Sequence, residues 1–414
     1  MAMATRDQRR RLEEDDLISR LPDAILGEII SLLPTIDGAC TQAVSSRWRH
    51  LWSSAPLNLD LHEHPPTWRR IPFSDISGIL SAHSGPGRRF AVPMRYFVYN
   101  KDPAATMDDW LRFPALDNLQ EIEFHLGGGP YGFPPHPPLP AALRRFSATL
   151  RVASFGGCNF PDGALHLPLV KQLSLLNVGI AEESLNALFD GCPVLESLLL
   201  TQDMDTAMVI SVISAPSLRI LGQLPVDKPR LEFGTTTFQG SHVVKSMTPV
   251  NNVKVLALTH MYLSLDSVIN FMKCLPCLEK LYIKMSKTYE TEEPAERNAW
   301  CRKYRNITSS LDISLKEIVL TTYRGNKAHV NFAKFFVLNA RVLESMVLDV
   351  HIKNDNIEWI ERQQRLLQIT SRASRDARFD FVSHLGRPKR EKSWYGQVHN
   401  LSMADPFVGF DKWT

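Results

Sequence analysis

Two hydrophobic periods divide this chain. In LPDAILGEIISLLP, Leu21 to Pro34, the apolar residues follow a helical period. Ile25, Ile29 and Leu32/Leu33 fall at i, i+4 and i+7/i+8, and Leu26 and Ile30 widen the stripe. Pro22 suits the first turn of a helix, where its missing N–H costs nothing, and Pro34 ends it. TIDGACTQA fits a second short helix with Thr35 or Asp37 as its cap. A third helix is expected from Ser45 or Ser46, with Trp48, Leu51 and Trp52 on one side. A segment this short and this apolar either packs onto the rest of its own chain or offers a surface to a partner. Residues 1–16 read as a disordered charged tail, basic and then acidic.

From about residue 88 the period changes to short strand-like runs. They start near Gln120, Arg151, Lys171, Glu196, Arg219, Lys254, Glu279, Lys316 and Glu344. Several align with one another. CPVLESLLL (Cys192 to Leu200), LPCLEKLYI (Leu275 to Ile283) and APSLRILGQ (Ala215 to Gln223) share Pro-x-Leu-x-x-Leu/Ile. LPLVKQLSL keeps the pattern with Val170 as its first apolar residue, and ARVLESMVL keeps it without the proline. This is the L-x-x-L-x-L core of a leucine-rich repeat, in which each unit lays down one parallel strand that stays uncovered until the next unit stacks on it. SLNALFDGCP and SVINFMKCLP, between strands, have helical periodicity and end in proline. The Gly/Pro-rich insert at 127–140 reads as a surface loop of extended, polyproline-like backbone.

Composition changes this picture little. The chain has 414 residues, 44% hydrophobic and 22% charged, which fits two or three globular domains. A net charge of +3 is too mild to imply nucleic acid or an anionic membrane as partner. No apolar run has the length of a membrane span, and the charged start has no signal-peptide core, so the expected location is the nucleus and/or cytoplasm. Candidate chemistry is sparse. Cys274-Leu275-Pro276-Cys277 has the spacing of a redox dithiol or half a zinc site, but no second ligand pair accompanies it. The repeat alignment accounts for it instead, because Pro276 and Leu278 stand where Pro193 and Leu195 do. His62 and His64, in LHEHPP, read as surface histidines of a polar loop. No nucleophile elbow, phosphate-binding glycine loop or dinucleotide fingerprint is present.

With both segments in place, the chain resembles the plant F-box proteins of the F-box, leucine-rich-repeat and FBD type, in their grass form. DLISRLPDAILGEIISLLP and VSSRWRHLW match the opening and close of an F-box. LKEIVLTTYRGNKAHVNFAKFFVLNARVLESMVLDV, Leu315 to Val350, resembles the FBD segment: strand, Gly turn at Arg324-Gly325, helix, strand. The resemblance implies an α/β fold: a short three-helix F-box at 17–55, a leucine-rich-repeat solenoid or horseshoe at 88–314, an FBD-type cap at 315–385 and a tail at 386–414. It implies a Skp-family adaptor of a cullin-RING ubiquitin ligase as partner, docked by Leu21, Pro22, Ile25, Ile29, Leu33, Pro34, Val44, Trp48, Leu51 and Trp52. About half of these are expected to hold the helices together instead, and the two tryptophans are the expected hot spots. The strand positions Gln172, Ser174, Ser197, Lys280, Tyr282 and Glu317 are expected to be exposed and to contact an unknown target protein. The resemblance implies no catalytic residue, metal or cofactor. Two other readings stay open: an interaction scaffold that engages no ligase, and a small-molecule coreceptor, for which the scattered arginines and lysines form no ring at repeating positions.

Overall fold

The computed structural model describes residues 18–62, 71–127, 136–161, 165–201, 209–212, 217–225, 230–233, 236–239, 242–245, 250–260, 265–285, 313–350 and 354–383. Both expected tails, His64 and most of the proline-rich insert lie outside these residues. The described residues divide into two compact units between Ala153 and Ser154.

In the first unit a 3-10 turn at Ile18–Arg20 leads into α1 (Asp23–Ser31) and α2 (Thr35–Cys40). Each proline stands at the N-cap of a helix: Pro22 precedes α1 and Pro34 precedes α2, both with extended ψ. Thr35 is therefore no cap. Its hydroxyl donates to the Asn58 carbonyl at 2.8 Å and accepts the Asp60 N–H at 2.9 Å. The expected third helix is reduced to a 3-10 turn at Trp48–His50 followed by α3 (Leu51–Ser54). After it come β1 (Leu57–Asp60), α4 (Phe73–Ala82), β2 (Gly87–Val92), α5 (Pro103–Leu111) and β3 (Glu121–His125). Asp102 caps α5 by accepting the Ala105 N–H at 2.9 Å, with Pro103 at the first helical position.

The three strands are parallel with β2 in the middle. Parallel pairing demands crossovers, which α4 and α5 provide. Leu59, Phe90, Ile122 and Phe124 on one sheet face are fully buried, as are Ile76, Leu80, Met107 and Leu111 of the two helices. Trp110 sits among Phe73, Phe90 and Phe97, with ring centroids 5.2 to 6.3 Å away. β4 (Val152–Gly156) begins in this unit and ends in the next.

The second unit continues with β5 (Gln172–Leu176), α6 (Glu182–Asp190), β6 (Ser197–Thr201), β7 (Val209–Val212), β8 (Ile220–Pro225), β9 (Arg230–Phe233), β10 (Thr236–Gln239), β11 (His242–Lys245), β12 (Val255–His260), α7 (Leu265–Cys274) and β13 (Lys280–Met285). It closes with β14 (Glu317–Tyr323), α8 (Lys327–Asn339), β15 (Ser345–Val350), α9 (Ile357–Leu367) and β16 (Arg378–Val382). β5-β6-β8-β12-β13-β14-β15-β16 form one parallel ladder in that order. β7, β9, β10 and β11 form a small separate sheet. Along the ladder the leucine-type residues stack on one face: Leu173, Leu198, Leu221, Leu256, Leu281, Ile318 and Met346 are register partners and all buried. The Pro-x-Leu-x-x-Leu alignment predicts this row.

Between β14 and α8 the chain turns on Gly325, whose φ of +67° is left-handed, and Asn326 caps α8 by accepting the His329 N–H at 2.9 Å. Strand, turn, helix and strand thus follow the expected order. α9 packs back over this turn, with Tyr323 donating to Gln363 at 3.0 Å.

Candidate functional site

α1 is apolar on both sides. Leu26 and Ile30 point into a small core completed by Trp48, Leu51 and Ala55, with Leu21 and Trp52 packed at its margin. A second stripe, Ile25, Ile29 and Leu32, runs along another side at i, i+4 and i+7, with each side chain 40% exposed or more. Val44, between the short turns, is 66% exposed, and Ile18 before α1 is 57% exposed. Five large aliphatic side chains are thus exposed between Ile18 and Val44, more than the single scattered exposure that is usual on a monomer.

The structure thus sorts the ten expected docking residues. Ile25, Ile29 and Val44 are outward, Pro22 is exposed beside them, and Leu33 and Pro34 are half-buried. Trp48 and Leu51 lie in the module's own core, so neither offers its main face to a partner in this conformation. An indole can supply hot-spot area only from a position it does not already fill at home. Leu32 and Ile18 were not among the ten. Helical geometry locates Leu32, because seven residues return the chain to the face of Ile25, whereas Leu33 falls 100° further round.

The module is tied down on its inner side. Arg47 pairs with Asp23 at 2.6 Å and donates to the Leu21 carbonyl, joining the segment before α3 to the start of α1. Arg88, entering β2, donates to Glu28 at 3.0 Å and to the Ser31 hydroxyl at 2.9 Å. His83 donates from Nε2 to the Ala55 carbonyl at 2.8 Å, and Trp52 stands edge-on to the His83 ring at 5.2 Å. Gly38 lies beneath Trp52, where a Cβ would make a tight contact with the indole at 3.2 Å. These bonds fix α1 so that its second stripe faces outward.

The six strand positions expected to meet a target lie on the sheet face opposite the leucine stack. Gln172 pairs in register with Ser197, and Lys280 with Glu317, while Ser174 and Tyr282 sit two residues further along their strands. Gln172, Ser174, Lys280 and Glu317 are half-buried. Ser197 and Tyr282 contradict the expectation of exposure, being 2% and 8% exposed. Each sits in an inner strand of the ladder, where neighbours stand about 4.8 Å away on both sides and shade a small or flat side chain. Lys280 also covers the Tyr282 ring at 4.9 Å while pairing with Glu317 at 3.0 Å.

The residue before each strand forms a row of its own. Lys171, Glu196, Arg219, Lys254, Glu279, Lys316 and Glu344 are joined rung to rung by backbone hydrogen bonds of 2.8 Å. Lys171 pairs with Glu196 at 2.8 Å, and Glu279 is held between Lys254 at 2.8 Å and Lys316 at 3.1 Å. The basic residues of this unit are therefore not all scattered: four of them recur at one repeat position, interleaved with glutamates.

The first unit carries a buried charged network. Arg89 donates to Asp60 at 3.2 Å, to Glu121 at 3.2 Å and to Glu123 at 2.9 Å, and His62 pairs with Glu123 at 3.2 Å. Burial works against each charged form, yet the mutual attraction prevails. Asp60 and Glu123 are held below the usual carboxylate range, and His62 and Arg89 are raised. His62 is thus a member of an ion-pair network and not a surface histidine. Cys274 ends α7 buried, while Cys277 is exposed in the following turn. Burial pushes the thiols of Cys158 and Cys192 up to about 12, which keeps both from acting as thiolates at neutral pH. Among the described residues no group of three or more His, Cys, Asp or Glu is placed to hold a metal ion.

Comparison with known proteins agrees with this organisation. The F-box domain model matches residues 18–60, the leucine-rich repeats of the FBD-associated F-box protein At5g56370 match 107–207 and 201–283, and the FBD model matches 305–348. Among Arabidopsis thaliana proteins, the F-box/LRR-repeat protein At3g03360 is 32% identical over 193 residues, covering 45% of this chain and 39% of the relative. The F-box/FBD/LRR-repeat protein At1g13570 is 30% identical over 217 residues, covering 50% of this chain and 49% of the relative. The alignments span about half the length of these relatives or less. The chain thus matches an F-box, leucine-rich repeats and an FBD segment in this order, the organisation named in the plant F-box/LRR/FBD proteins it is similar to.

Proposed function

We propose that the chain is the substrate-recognition subunit of an SCF-type ubiquitin ligase, docking a Skp-family adaptor through its F-box and a target protein through its repeats. The observation that carries this reading is the outward stripe of Ile25, Ile29 and Leu32, with Val44 nearby, on a module whose own core is already filled. Burying such side chains on a partner contributes about 25 cal/mol per Å² of apolar area. A module of this size, otherwise near the lower limit of stability, is stabilised by that contact.

The repeat ladder forms the wall of a horseshoe in this reading, with the FBD segment completing its stack. The face bearing Gln172, Ser174, Lys280 and Glu317 is the target side. The chain makes and breaks no bond. It raises the effective concentration of a target's lysines at a ubiquitin-charged enzyme brought by the ligase's RING subunit. It acts in the nucleus and/or cytoplasm.

Co-elution of the full chain with a purified Skp-family adaptor tests the reading. A stable one-to-one complex is expected. Failure to co-elute with any member of an adaptor family overturns it and leaves a scaffold.

A further inference from the structure

The row of charged residues before the strands contains one irregularity. From Lys171 to Glu344 its charges alternate except at Arg219 and Lys254, which occupy adjacent rungs: the Lys254 N–H donates to the Arg219 carbonyl at 2.8 Å. Two like charges on neighbouring strands repel each other and destabilise a sheet. Lys171 neutralises Glu196, and Glu279 serves Lys254 and Lys316 together. Among the described residues no carboxylate pairs with Arg219, which is exposed.

Beside this pair the surface opens into a pocket of about 420 Å³ lined by Glu196, Ser217, Arg219, Asn251, Asn252 and Lys254. The same two repeats carry polar side chains at a second position. Just ahead of the first buried leucine-type residue, three other units carry the exposed aliphatic side chains Leu169, Val194 and Val342, and the units of Leu278 and Leu315 carry Cys277 and Ser314. The units of Leu218 and Val253 carry Ser217 and Asn252 there, with Asn251 adjacent. Excess positive charge, neutral hydrogen-bonding side chains and a concave surface therefore coincide in two adjacent repeats.

We propose that this pocket binds a phosphate monoester group, with Arg219 and Lys254 meeting its two charges and Ser217, Asn251 and Asn252 donating to its oxygens. A carboxylate offers two oxygens and one charge; a phosphate monoester offers three terminal oxygens and nearly two charges, which the two cations and three neutral donors match better. The remaining lining carboxylate, Glu196, is already clamped by Lys171 at 2.8 Å. Lys254 can turn to the ligand because Glu279 keeps Lys316. The site does not depend on adaptor docking.

The test uses the full chain, titrated with inorganic phosphate and with a phosphoserine peptide of neutral flanks. Binding is read by calorimetry and melting temperature at ionic strength held constant with chloride. Saturable binding is expected, weakened about tenfold or more in Arg219→Gln and in Lys254→Gln, and unchanged in Arg341→Gln, a cation outside the pocket. Each variant is first shown to melt cooperatively, and the two pocket variants act as independent checks. Tighter binding of the phosphopeptide than of inorganic phosphate would assign the group to a phosphorylated protein segment. Equal or weaker binding would assign it to a free phosphate compound. Equal binding by wild type and both pocket variants, by the unphosphorylated peptide, or no saturable binding at all, overturns the proposal.

Discussion

Arg89 on β2 and Glu121 on β3 are register partners joined by a 3.2 Å ion pair, and both side chains are buried. Asp60 and Glu123 reach the same guanidinium, so one arginine holds three carboxylates together. Removing one member of a buried charge network leaves the others uncompensated, at a cost of about 3–5 kcal/mol. Arg89→Leu is expected to lose about that much at pH 7 by urea denaturation. Its deficit relative to wild type should shrink toward pH 4, where the repelling carboxylates take up protons. A deficit independent of pH would show that packing, not charge, is what Arg89 supplies.

Two histidines are expected to give stability opposite pH dependences. Burial opposes the charged form of His62, but Glu123 and Asp60 raise its pKa above the ordinary 6.5. Its contribution is complete below 6.5 and is lost as pH rises through the raised value. Burial, helped by Arg324, lowers His329 to about 4, and its Nδ1 accepts the Arg324 N–H at 3.0 Å. Here the unfolded chain binds the proton first, so stability is complete above 6.5 and falls by up to about 3 kcal/mol as pH drops toward 4. Denaturation midpoints followed from pH 4 to 8 should have a shallower acid slope in His329→Gln, with the remainder supplied by His125 and His83, which burial also lowers, and should lose their alkaline slope in His62→Gln.

Gly325→Ala should destabilise the second unit by about 2 kcal/mol or more. The left-handed φ of +67° alone costs a side chain about 1–2 kcal/mol, and a Cβ would come within 2.6 Å of both Gln363 and Trp359. The Tyr323–Gln363 hydrogen bond should loosen with it, exposing Trp359, so tryptophan fluorescence during thermal unfolding reports both effects. A melting temperature equal to wild type would mean that α9 does not pack on this turn.

Much of this arrangement is readable in the residues themselves. The Pro-x-Leu-x-x-Leu alignment places Leu173, Leu198, Leu221 and Leu281 in one buried row, because a repeat that stacks on itself must repeat its register. A charged residue also opens the strand-like runs at Lys171, Glu196, Arg219, Lys254, Glu279, Lys316 and Glu344, where the irregularity at Arg219 and Lys254 is visible. Other features have no local signal. α1 is apolar on two sides, and periodicity cannot say which side meets a core. That is decided by where Trp48 and Leu51 arrive some twenty residues later. Asp60, Arg89, Glu121 and Glu123 come together only through the pairing of three strands, and Tyr282 is shaded by neighbours that a single strand does not reveal.

The inward and outward faces of α1 are expected to do different work. Calorimetric titration of a Skp-family adaptor into wild type, Ile25→Ser/Ile29→Ser and Trp48→Ala tests it most directly, with urea denaturation of each chain alongside. The outward pair should weaken binding about a hundredfold or more while moving stability by no more than about 1 kcal/mol. Trp48→Ala should cost about 3–5 kcal/mol of module stability, since it empties a filled core. Full-strength binding by the Ile25→Ser/Ile29→Ser chain would contradict the account, because the adaptor would then be using a surface other than the one this fold leaves open.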